Sequence, residues 1–135
     1  KLLQHDNFFG VAKLDREENK MVILQLPRWS GEEKRQEFVI GLPGGYSVSK
    51  AQVKIHFGQR VAVLYSAQWN RVFVVRYDTK DSLIYPIPRG TKIQFLELST
   101  SGKYLAFDLV DKKTRLTRHV MVLEIKKKTW KKFNF

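Results

Sequence analysis

The side chains that could do chemistry are few and scattered. His5, His56 and His119 stand far apart, and no two have the spacing with which a short segment grips a metal ion. There is no cysteine, so thiol nucleophiles, thiolate metal sites and disulfides are excluded. Ser47-Val48-Ser49-Lys50 has the spacing of a serine nucleophile activated by an amine, but the companion motifs of such enzymes are missing and the chain is too short for them. Gly41-Leu42-Pro43-Gly44-Gly45 lacks a following Lys-Ser/Thr and a helix, so it reads as a turn and not as a phosphate cradle. Asp108 and Asp111 could pair as acid and base. Alternation, however, sets Asp108 among apolar neighbours and Asp111 at the mouth of a turn, with no base or metal set beside them. The residues therefore read as those of a non-enzyme, with no catalytic, metal or cofactor site expected.

Charge is the stronger signal. The 135 residues hold 25 Lys+Arg against 13 Asp+Glu, a net charge of +12. Such an excess favours an acidic partner: nucleic acid, an acidic protein surface or an anionic membrane surface. Between Asp111 and Phe135 there are nine basic residues and two acidic ones. The densest run, KKKTWKK from Lys126 to Lys132, could be a localisation signal or a nucleic-acid patch. It reads better as a turn and an outer edge strand, where lysine discourages edge-to-edge pairing.

A chain 43% hydrophobic and 13% aromatic can bury a core, and its length suits one domain. No apolar run approaches the ~20 residues of a membrane-spanning helix. KLLQHDNFFG at the start has no apolar signal core. The lack of cysteine fits an intracellular setting, and a cytoplasmic or nuclear one is expected. The absence of an initiator Met suggests a processed product or a fragment.

The elements that must carry these residues are strands. Helical periodicity is nearly absent, and GEEKRQ, its best short candidate, reads as loop. Alternating and β-branched runs, bounded by Gly, Asn, Asp and Ser, predict about eleven or twelve short strands in an antiparallel all-β meander. The runs also repeat. Val53, Gly58, Arg71 and Ser82 begin or precede four strands that recur near Ile93, Gly102, His119 and Lys128, with offsets of 40, 44, 48 and 46 residues. FFGVAKL, NKMVILQL and EFVIGL read as strands one to three of an earlier copy, with GYSVSKA as its fourth. The units run over 8–52, 53–91 and 92–135.

STSGKYLAFDL, VFVVRYDTKDSLIYPI and VMVLEIKKKTWKKF resemble the strand and turn passages of WD-repeat and related β-propeller blades. The likeness covers Val53 to Phe135 well and the earlier residues poorly. Tyr77-Asp78 and Glu124-Ile125 stand where the family has Trp-Asp, Ser101 stands where its turn has Asp, and the Gly-His element is absent. The resemblance implies about three four-stranded blades. Three cannot close a ring of typically four to eight, so it also implies the remaining blades of a larger chain or another subunit. A small closed β-barrel or a sandwich is the alternative fold, with groove binding of nucleic acid as its function.

In the blade reading, second-to-third strand connections and blade-to-blade connections share one face. The connections PRWSGEEKRQ, AQWNR and DKKTRLTR then bring Arg28, Trp29, Lys34, Arg35, Trp69, Arg71, Lys112, Lys113, Arg115 and Arg118 to that face. Tyr46, Lys50, Arg89 and Lys92 join from the links between blades. Arg and Lys neutralise phosphates or carboxylates, while Trp offers a stacking surface or an interface anchor. The expected function is a binding or scaffold module that presents a basic, Trp-bearing loop face to a protein or nucleic acid.

Overall fold

Alternating apolar residues between tight turns fold here into successive antiparallel meanders. The computed structural model describes residues 2–4, 8–27, 35–43 and 53–134, and among them it contains thirteen strands and no helix. The first sheet runs β1 (Leu2–Gln4), β2 (Phe8–Asp15), β3 (Lys20–Pro27) and β4 (Gln36–Gly41). The second runs β5 (Lys54–Gly58), β6 (Val61–Ser66), β7 (Arg71–Arg76) and β8 (Ser82–Pro86). The third comprises β9 (Thr91–Lys92), β10 (Leu96–Leu98), β11 (Tyr104–Asp111), β12 (Thr117–Glu124) and β13 (Thr129–Asn134). Strands pair in chain order, and β9 adds to β11 beyond β10.

The hairpins are set locally. Asn19, Asn70, Lys80, Arg115 and Lys128 have φ between 52° and 62°, each closing a turn before the returning strand. A left-handed residue after a type I turn gives two strands the mutual twist a hairpin needs, and Asn tolerates that conformation best among residues with a side chain.

The three sheets stack as layers. One core joins the first two: Ala12, Met21, Ile23 and Ile40 meet Phe57, Leu64, Phe73 and Tyr77. A second core joins the other face of the middle sheet to the third: Val63, Tyr65, Val72 and Val74 meet Leu105, Phe107, Leu109 and Leu123. This explains why VAVLYS is buried at every position instead of alternating. A strand covered on both faces has no solvent side to make polar.

Equivalent ends of neighbouring layers sit together. The turn after β5 meets the turn after β10, where Gln59 N–H donates to Thr100 O at 2.9 Å. The turn after β7 meets the turn after β12, where Lys128 Nζ lies 2.9 Å from Asp81 Oδ1. The first and second layers are joined by Tyr77. Its hydroxyl accepts from Arg60 N–H (2.7 Å) and from the Gln25 side-chain amide, and donates to Gly58 O (3.1 Å).

Three expectations are corrected. The strand count rises because Leu2–Gln4 is a strand and the run expected from Lys92 to Ser99 divides into β9 and β10. The phase of the first unit shifts by one: FFGVAKL, KMVILQL and EFVIGL are its second, third and fourth strands, so that sheet spans 2–41. The fourth strand expected at GYSVSKA lies outside the described residues, Ser47 and Lys50 included. Third, no sheet closes on itself among the described residues, so the closed-barrel alternative fails. Layers covered by their neighbours need no closure to bury their apolar rows.

Candidate binding surface

At one end of the stack three connections are hydrogen-bonded in series. The β6–β7 turn reaches the link after β8 through Ile87 N–H to Asn70 O at 2.9 Å. That link reaches the β11–β12 turn through Lys112 N–H to Gly90 O at 3.0 Å. Arg71, Arg89, Lys92, Lys112, Lys113 and Arg115 are all exposed on this run. Arg89, Lys92, Lys112, Lys113 and Arg115 make no ion pair with any described residue. The opposite end differs. There Arg60 and Arg76 lie 3.7 and 4.0 Å from Asp78, and Lys128 is paired with Asp81.

Asp111 builds the most basic turn. Its Oδ1 accepts from Lys113 N–H (2.8 Å) and Thr114 N–H (3.0 Å), and its Oδ2 pairs with the Arg118 guanidinium. The Thr114 and Lys113 amides, with Arg118 behind them, hold the Asp111 carboxyl below its ordinary value. An acid with a depressed folded-state pKa contributes stability that is complete above its unfolded value, near pH 4, and is lost as pH falls through the folded one. Asp111→Asn is expected to flatten the acid limb of melting temperature against pH. An unchanged limb would mean that the carboxylate is not held by these donors in solution.

Asp108 also proves structural. Its Oδ1 accepts from Gln94 and Phe95 N–H at 2.8 and 2.9 Å, which fastens the β9–β10 link onto β11. Among the described residues no three His, Asp or Glu side chains are grouped to hold a metal ion. No helix of the described residues is long and apolar enough to cross a membrane. No known protein-family model matches the chain, and no curated protein matches it.

The shift of the first sheet divides the expected face. The connection containing Arg28, Trp29, Lys34 and Arg35 joins β3 to β4, not a second strand to a third, and so leaves at the opposite end of the stack. Arg35 lies at that opposite end and is exposed, while Arg28, Trp29, Lys34, Tyr46 and Lys50 lie outside the described residues. In its place the basic end receives the β2–β3 turn, where Asp15 Oδ1 accepts from Glu17 and Glu18 N–H at 3.1 Å. Trp69 is at the basic end but half buried, packed on the core between the first and second sheets. Arg118 is there too, tied to Asp111. Sequence reasoning set Asp111 at the mouth of this turn but not its carboxylate as the acceptor that holds the turn together. Asp followed by two Lys and a Thr is a side-chain-capped turn signature that could have indicated it.

Proposed function

We propose that this chain is a non-enzymatic binding module of propeller-type blades whose basic end grips an acidic segment of a protein. One observation carries this reading: Arg89, Lys92, Lys112, Lys113 and Arg115 crowd three mutually bonded connections and make no ion pair with a described residue. Unpaired like charges held close together repel one another, and a bound anion relieves that repulsion. The propeller-type reading is supported by successive four-stranded meanders stacked with equivalent turns in register.

Trp69 favours a protein as the partner. Single-stranded nucleic acid needs exposed aromatic faces beside the cations on which bases stack. Here the indole packs on the core; of the exposed aromatics, Phe9 and Tyr104 lie toward the other end of their strands, and Phe95 and Phe133 stand on the outer face of the third sheet, not in the turns. Carboxylates need only the cations.

The test is a titration with a fluorescent oligoglutamate peptide and, in parallel, a single-stranded oligonucleotide, over a range of salt. Replacing Lys112, Lys113 and Arg115 together by Glu is expected to weaken the peptide by at least about tenfold, because each rim pair contributes up to about 1 kcal/mol. Melting should stay unchanged, since all three side chains are exposed. Tight oligonucleotide binding with no peptide binding would reassign the partner to nucleic acid. Undiminished peptide binding by the triple variant would remove the site.

A further inference from the structure

The stack ends in two faces that no other sheet of the described residues covers. In the first sheet the cross-strand rows Val11–Leu24–Glu37 and Lys13–Val22–Val39 point away from the second sheet. Val11 is 46% exposed and Val39 41%. In the third sheet the rows Ala106–Val122–Lys131 and Asp108–Val120–Phe133 point away from the second sheet. Phe133 is 51% exposed, and Phe95, beside the second row, is 67% exposed. A groove of about 350 Å³ runs between Phe95 and Val120 on this face.

We propose that the outer face of the third sheet docks on the outer face of the first sheet of a second copy of this chain. The inference is independent of the basic end. It continues an arrangement the chain already uses twice, with the first sheet on the second and the second on the third, equivalent turns adjacent. One further stacking step sets strand on equivalent strand. Leu24 then meets Val122, Val22 meets Val120 and Val39 meets Phe133.

Charge selects the same pairing. On the fourth strands Glu37 comes opposite Lys131, and on the second strands Lys13 comes opposite Asp108, which is largely buried and whose Oδ1 is already held by the Gln94 and Phe95 amides. Neither Lys13, Glu37 nor Lys131 has an ion pair with a described residue in the single chain. Two distinct faces with opposite signs at matched positions make a head-to-tail contact, which adds copies until a ring closes or a filament grows. Burying such rows supplies the driving force, because exposed apolar patches of this kind are uncommon on monomers.

The experiment is sedimentation of the 135-residue chain, whose monomer mass is 15.9 kDa, over a range of concentration. A mass above the monomer is expected. Val39→Lys and Phe133→Lys, each on one face, should each sediment as monomers. Mixed one to one, they should form a heterodimer, because each retains the face the other lacks. Glu37→Lys alone should weaken assembly at least about tenfold, and adding Lys131→Glu should restore it. Thermal melts verify folding, and Phe95→Lys replaces Phe133→Lys if the latter fails to fold. A wild-type monomer at every concentration would overturn the proposal. So would an oligomer that survives both single-face variants, or a mixture of the two that stays monomeric.

Discussion

Gly102→Ala should cost about 3 kcal/mol or more, the sum of a left-handed backbone penalty of about 1–2 kcal/mol and an overpacking term of about 1–3 kcal/mol. Gly102 has φ of +75°, and a Cβ there would stand 2.4 Å from the carbonyl oxygen of Gln59. The obstacle is backbone. It cannot swing aside without straining the Gln59 N–H to Thr100 O bond that joins the second and third layers. Gly58, on the other side of this junction, is as tightly placed, with a Cβ position 2.7 Å from Ser99 O. Gly90 provides the control: its φ is +81°, yet nothing lies within 4 Å of its Cβ position. Gly90→Ala should therefore show the backbone penalty alone, about 1 kcal/mol. For a chain of this length the Gly102 variant should melt roughly 10 °C lower, and the Gly90 variant only a few degrees lower. Equal losses in paired urea or thermal melts would show that the two layers do not touch here.

Tyr77 carries the second large effect. The side chain is fully buried, its ring lies 5.0 Å from that of Phe38 in the first sheet, and its hydroxyl serves three partners. Tyr77→Ala should cost about 4 kcal/mol through the cavity left between the layers. Tyr77→Phe keeps the ring but leaves the Gln25 amide and the Arg60 N–H without their acceptor, which should cost about 2 kcal/mol. If Tyr77→Phe is neutral, the hydroxyl network does not hold the layers together. Burial also pushes the Tyr77 pKa up to about 12, from 10.0. A phenol with a raised folded-state pKa contributes stability that is complete below its unfolded value and is lost as pH rises through the folded one. Stability should fall between about pH 10 and 12, less steeply in Tyr77→Phe. Some slope should remain, because burial raises Tyr65 and Tyr85 too.

Both positions show how far local pattern can be read. Tyr77-Asp78 stands where propeller blades have Trp-Asp, and the Ser-Gly turn at 101–102 belongs to a passage that resembles their second-strand entry. Both lie at junctions between layers, though the reason for each residue appears only when the neighbouring sheet is in place. Gly102 is legible as a turn residue, but the Gln59 carbonyl that forbids a Cβ is 43 positions away along the chain. Tyr77 is legible as the end of a strand, whereas Gln25, 52 residues distant, is legible only as a polar residue within a strand. The same limit governed the binding face. Trp69 in a turn looks available from its neighbours Gln68 and Asn70. Its half-burial comes from the core beneath, which the turn does not encode.

By itself, the sequence determined the class of structure and the hairpins. Alternation of apolar and polar residues specifies extended strands, and the residues bounding them, Asn19 and Asn70 among them, specify where the chain turns back. These are interactions between near neighbours, so they are written in consecutive residues. It also determined that basic residues gather in the turns around 112–115. The tertiary structure alone decided the phase of the first sheet, because Leu2–Gln4 is too short to show any alternation and an unflanked hairpin looks the same as strands one and two or as two and three. It alone decided which end receives Arg35, which apolar rows are covered and which are left bare. A period of two states which side chains share a face of a sheet; it cannot state what lies against that face, since that depends on packing between residues far apart in the chain.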